Sequence, residues 1–146
     1  ERCPFPYFEK GGLAEMEGFA IRFTTERSLE DVRARLREAL AQRGFGVLWE
    51  LDVTETLAKK GQSVSGPFVV WEVCKPAVAA RVLMEKPDAV YLLPCKLGMY
   101  AQNGRTVVGM IRPTRLAEPF GERLAAIGRE VEEELVAALC EATQDA

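Results

Sequence analysis

The chain has 146 residues, 19 Lys+Arg against 22 Asp+Glu, a net charge of −3 and no histidine. The missing imidazole excludes Ser-His and Cys-His catalytic pairs, a histidine general base and every His-containing metal site. Mild acidity supplies no global attraction for nucleic acid, and no apolar run of about 18 residues is present to cross a bilayer.

This length suits one α+β domain whose core needs no disulfide or metal staple. Residues 1–15 lack a period and carry Pro4, Pro6, Gly11 and Gly12, which predicts an arm whose Phe5, Tyr7 and Phe8 need a dry seat. Residues 16–146 form the expected domain. The first residue is Glu1 rather than Met, which leaves open a leader or anchor upstream.

Residues 18–25 alternate, with Phe19, Ile21 and Phe23 on one side, and predict a half-buried strand. Ser28 then caps a helix with apolar positions Leu29, Val32, Leu36, Ala39 and Leu40, closed by Gly44. Arg33, Arg35 and Arg37 read as its solvated face. A second strand, 45–53, puts Phe45, Val47, Trp49, Leu51 and Val53 inward and Glu50 and Asp52 outward. A short helical turn capped by Thr54 runs to Gly61, followed by a strand at 68–74 and a helix opened by Pro76 and ended by Pro87. Residues 89–101 and 105–112 predict a hairpin around Asn103-Gly104. The last helix should run from Pro119 to about Thr143, burying Leu124, Ile127, Val131, Leu135 and Ala138, with Glu130 and Glu132–Glu134 mostly solvated.

The last three strands are apolar on both faces, and three main helices can cover only one face of a five-stranded sheet. We therefore expect the other face to be shielded by the arm, a second copy of the chain or an apolar small-molecule ligand. Charging Trp71 or Met110 is the expected way to break such a homodimer.

Candidate chemistry gathers at Val73-Cys74-Lys75-Pro76 and Leu93-Pro94-Cys95-Lys96. Cys74 ends a strand before a helix N-terminus, and Lys75 adds a cation; both favour thiolate. Cys95 and Lys96 lie on a neighbouring strand, and Glu72 shares a side of its strand with Cys74. These five residues, Glu72, Cys74, Lys75, Cys95 and Lys96, are the candidate ligand-binding or reactive-thiol site. Against this, Cys95 falls in register with Tyr91, Leu93, Leu97 and Met99, as a packing residue would. Cys3 and Cys140 lie near the ends, and no C-x-x-C occurs, so reduced thiols in a cytoplasmic setting are expected, with no metal and no cofactor.

The segment from Gly44 to Val53, followed by Thr56-Leu57 and Lys60, resembles the bacterial and archaeal domain-of-unknown-function family three hundred and two (DUF302). Cys74-x-Pro76 with Ala79, and Leu92-Leu93-Pro94-Cys95, resemble it too. The resemblance implies a fold of the TATA-binding-protein-like class: strand, helix, a curved and mostly antiparallel sheet completed by four further strands with short helical insertions, and a long final helix. It lends no activity. Members commonly carry Asn after each motif cysteine, where this chain has Lys75 and Lys96. The expected role is non-catalytic binding of a small molecule or protein, with no nucleic-acid or membrane contact. A thiol enzyme or redox sensor using Cys74 and Cys95, and a structural dimerisation module, are the alternatives.

Overall fold

Period-two alternation builds a sheet, and the computed structural model, which describes residues 14–144, has six strands in it. These are β1 (Ala14–Glu17), β2 (Ala20–Thr25), β3 (Gly46–Asp52), β4 (Phe68–Cys74), β5 (Cys95–Gln102) and β6 (Arg105–Ile111). They lie in the order β1-β2-β6-β5-β4-β3, every neighbour antiparallel. The fold is α+β, with helices α1 (Leu29–Gln42), α2 (Val53–Lys59), α3 (Pro76–Glu85), α4 (Pro113–Ala117) and α5 (Glu122–Thr143). The five expected strands are present. The sixth, β1, claims Ala14 and Glu15 from the expected arm by pairing them with Phe23 and Arg22. The remaining arm residues lie outside the described residues.

Local chemistry sets most boundaries. Ser28 accepts a hydrogen bond from the Asp31 amide at 3.1 Å, and Gly44 leaves α1 at φ 84°, so that the Phe45 amide reaches back to the Leu40 carbonyl. Asn103 and Gly104 take positive φ at the β5–β6 tip, as a two-residue hairpin requires. Asp52, not Thr54, caps α2. The Thr54 hydroxyl instead donates to the Gly66 carbonyl and accepts from the Phe68 amide.

Two boundaries differ from expectation because proline and glycine act there. Residues 89–92, expected in a strand, form a 3-10 turn (Pro87–Leu92) that buries Ala89 and turns Tyr91 outward; β5 begins only at Cys95, after a cis Leu93–Pro94 bond. A three-residue turn points positions 89 and 92 the same way, a spacing that alternation could not register. Near the end, Pro113 opens α4, and Gly121 at φ 108° delays α5 to Glu122.

The core lies between one sheet face and the helices. Ile21 and Phe23, Val69, Trp71 and Val73, Leu97 and Met99, and Val108 pack against Val32, Leu36 and Leu40 of α1 and against Leu135 and Leu139 of α5. The five α5 positions expected inside are buried. Glu132 is not solvated: it is buried and accepts hydrogen bonds from Arg112 and the Thr114 amide. Trp71 and Met110 belong to this covered side, so neither can report on a partner at the other face.

A β-bulge overturns the expected orientation of β3. Val47 sits opposite Val73, but the register then slips, so that Glu50 faces Trp71 and Trp49 faces Glu72. One extra residue exchanges the faces: Glu50 turns toward the helices while Trp49 and Leu51 turn away. The arginines of α1 meet it there. Arg33 and Arg37 donate to the Glu50 carboxylate, and the Arg37 guanidinium lies 4.6 Å from the Trp71 ring centroid. Burial opposes ionisation of Glu50, but the neighbouring Trp71 N–H and the two arginines outweigh it and hold the carboxyl below its ordinary value. The Trp71 N–H itself makes no hydrogen bond of normal geometry. Arg35 donates to the carbonyls of Glu141 and Ala142 near the end of α5. The arginine row is therefore a clamp on β3 and α5 rather than a solvated face.

Candidate functional site

The expected thiol pair is divided by the sheet. Cys95 stands opposite Val73, so it shares the covered side, while Cys74, the next residue along β4, takes the other. Cys95 packs against the core, and burial, followed by the nearby Cys74, pushes its thiol up to about 11. It is thus protonated through neutral pH. Lys75 does not serve Cys74: its ammonium bonds both Glu134 carboxylate oxygens on α5, at 3.0 and 2.9 Å, and lies over the Phe45 ring. Glu72 and Lys96 are brought face to face across β4 and β5, on the side away from the helices. Cys74 and Cys95 are free thiols, whereas Cys140 is disulfide-bonded. That corrects the expectation of reduced thiols throughout. Because disulfides persist in oxidising compartments, cysteine usage no longer argues for a cytoplasmic setting. Among the described residues no group of three or more His, Cys, Asp or Glu could hold a metal ion, and no helix is long and apolar enough to cross a membrane.

A larger feature arises from the hydrogen-bond ladder. The β5–β6 pairing runs from the hairpin tip only as far as Gly98 opposite Gly109. Beyond that rung Cys95–Leu97 pair with β4 alone and Met110–Ile111 with β2 alone. The sheet splits there like an open V. A cleft of about 840 Å³ occupies the split and extends under the sheet, where Val82, Met110, Leu124, Ile127 and Val131 line it. Leu92, Pro94 and Cys95 form one wall and Pro113, Leu116 and Ala117 of α4 the other. Three charged side chains, Arg22, Glu72 and Lys96, reach the lining. Around it, Tyr91 is 80% exposed, and Val90 and Leu116 are also exposed.

Glycine shapes two of these walls. A Cβ on Gly128 would lie 3.1 Å from both the Ala117 Cβ and the Pro113 carbonyl oxygen, so its absence lets α4 lie close on α5. A Cβ on Gly98 would meet nothing within 4 Å; the residue lines the cleft on the sheet side it shares with Lys96 and Tyr100, away from the helices. Three of the five candidate residues, Glu72, Cys95 and Lys96, do line the cleft. The split itself was missed, although counting back equally from Asn103-Gly104 sets Gly98 opposite Gly109, and facing glycines weaken a ladder.

The family model for a domain of unknown function, DUF302, matches residues 21–142. The chain belongs to the DUF302 family. A crystal structure of an uncharacterized conserved DUF302 protein from Bacillus stearothermophilus is similar to it, with 40% identity and a TM-score of 0.83, covering 88% of this chain and 100% of that one. No curated protein matches the chain. The matched DUF302 segment contains both cysteine motifs and the whole hairpin around the split. Of the two lysines that follow the motif cysteines, Lys75 braces α5 and Lys96 reaches the cleft.

Proposed function

We propose that this DUF302 protein is a non-catalytic binding domain whose cleft takes an apolar small molecule. The observation that carries this reading is the cleft at the β5–β6 split: it has the size and apolar lining of ligand sites, with few polar groups at defined places. The thiol alternative draws less support, since Cys95 is protonated and Lys75 is engaged with Glu134. Titration with the uncharged dye Nile red should give saturable, single-site fluorescence enhancement that Cys74→Ala leaves unchanged. Absence of saturation would overturn the cleft reading, and loss of binding in Cys74→Ala would restore the thiol.

A second reading concerns the sheet face turned from the helices. Trp49 is 50% exposed there, Ile111 42% and Phe68 37%, an apolar face that the helices do not cover. As the alternative to ligand entry through this face, we infer a homodimer that buries it. Light scattering should give twice the chain mass, falling to one on Trp49→Glu with Phe68→Glu; a monomeric wild type would remove this reading.

A further inference from the structure

The charges around the cleft are not spread evenly. Alternation places Arg22, Glu72 and Lys96 on the sheet side away from the core, at the mouth. Below them the lining is aliphatic, with the neutral thiol of Cys95 at one wall. An ion taken into that depth would lose its hydration with nothing to replace it, so whatever enters must be hydrocarbon. At the mouth, Glu72 and Lys96 stand directly opposite one another on β4 and β5. A head group of either net charge meets a like charge beside the opposite one. Arg22, across the opening on β2, already has an interaction of its own. A neutral group that both donates and accepts, such as a hydroxyl or carboxamide, can bond to the carboxylate and the ammonium together.

We propose that the ligand is a neutral single-chain amphiphile, its alkyl body threaded past Gly98 into the split and its hydroxyl or amide head held between Glu72 and Lys96. This rests on the cleft reading above and goes beyond it by naming the ligand class. Gly98 supplies the passage, since a side chain there would enter open space without striking the protein.

The test is displacement of Nile red by three probes of equal chain length: decan-1-ol, decanoate and decylammonium. Decan-1-ol should displace best from the wild type. Because a neutral probe favours any apolar pocket, the deciding result is reciprocal. Glu72→Gln should improve decanoate about fivefold and Lys96→Gln should improve decylammonium by a similar factor, the size expected of one charge partly screened by water. Gly98→Phe should abolish displacement and dye binding while the thermal midpoint holds. If the probes compete but the two charge variants leave their ranking unchanged, the head-group assignment is overturned and the cleft reading stands. Unimpaired binding to a folded Gly98→Phe overturns the threaded body, and failure of dye and probes alike on the wild type overturns both.

Discussion

Glu132→Ala should lower unfolding stability by about 3 kcal/mol, seen as a shift of the denaturant midpoint at unchanged slope. One oxygen of this buried carboxylate accepts from Arg112 at 3.2 and 3.0 Å, and the other accepts from the Thr114 amide at 3.1 Å. Thr114 lies in the first turn of α4, where the helix cannot satisfy its own N–H groups. The Arg112 backbone amide donates to the Phe19 carbonyl at 2.7 Å, so one carboxylate ties α5, α4 and the β1–β2 turn together. Its removal strands a half-buried guanidinium and an amide, which costs more than the pair is worth when intact. Glu132→Gln keeps an acceptor and should fall between. The double change Glu132→Leu with Arg112→Met removes both charges and should recover much of the loss. A single Ala variant within about 1 kcal/mol of wild type would show that the pair does not brace α4.

The second large effect separates two glycines on one rung. Gly109→Ala should destabilise by about 1–3 kcal/mol, because the new Cβ would lie 2.4 Å from the Ile21 carbonyl oxygen. That atom is backbone in a paired strand and cannot swing aside, so β2 must move. Gly98→Ala should be neutral or stabilise by a few tenths of a kcal/mol, since its Cβ meets nothing and the unfolded chain loses freedom. Paired thermal or urea unfolding of the two variants checks this, and equal effects would show that the β2–β6 approach is looser than described.

Much of this molecule was legible in short-range chemistry. Ser28, Gly44, Pro76 and Asn103-Gly104 each act within a few residues, and the elements they bound lie where their side chains dictate. Local turns moved a few boundaries, but the misread side-chain orientations share one cause: contacts between residues distant in the chain. Glu50 looked solvent-facing because alternation assumes an unbroken register, and the slip between Val47 and Trp49 turns it under α1. Glu132 looked solvated among acidic neighbours, yet Arg112, twenty residues away, draws it inside. Lys75 adjoins Cys74 in sequence, but its long side chain reaches α5.

The sequence by itself determined most element types, most caps, the hairpin register and the absence of imidazole chemistry, because each depends on residue identity or near neighbours. Tertiary structure alone decided which residues share a site. Face and depth depend on ladder register, and the β5–β6 ladder stops at Gly98 and Gly109 while the outer strands carry on. The space so left is a property of three pairings and two helices together, and no window of the chain contains it.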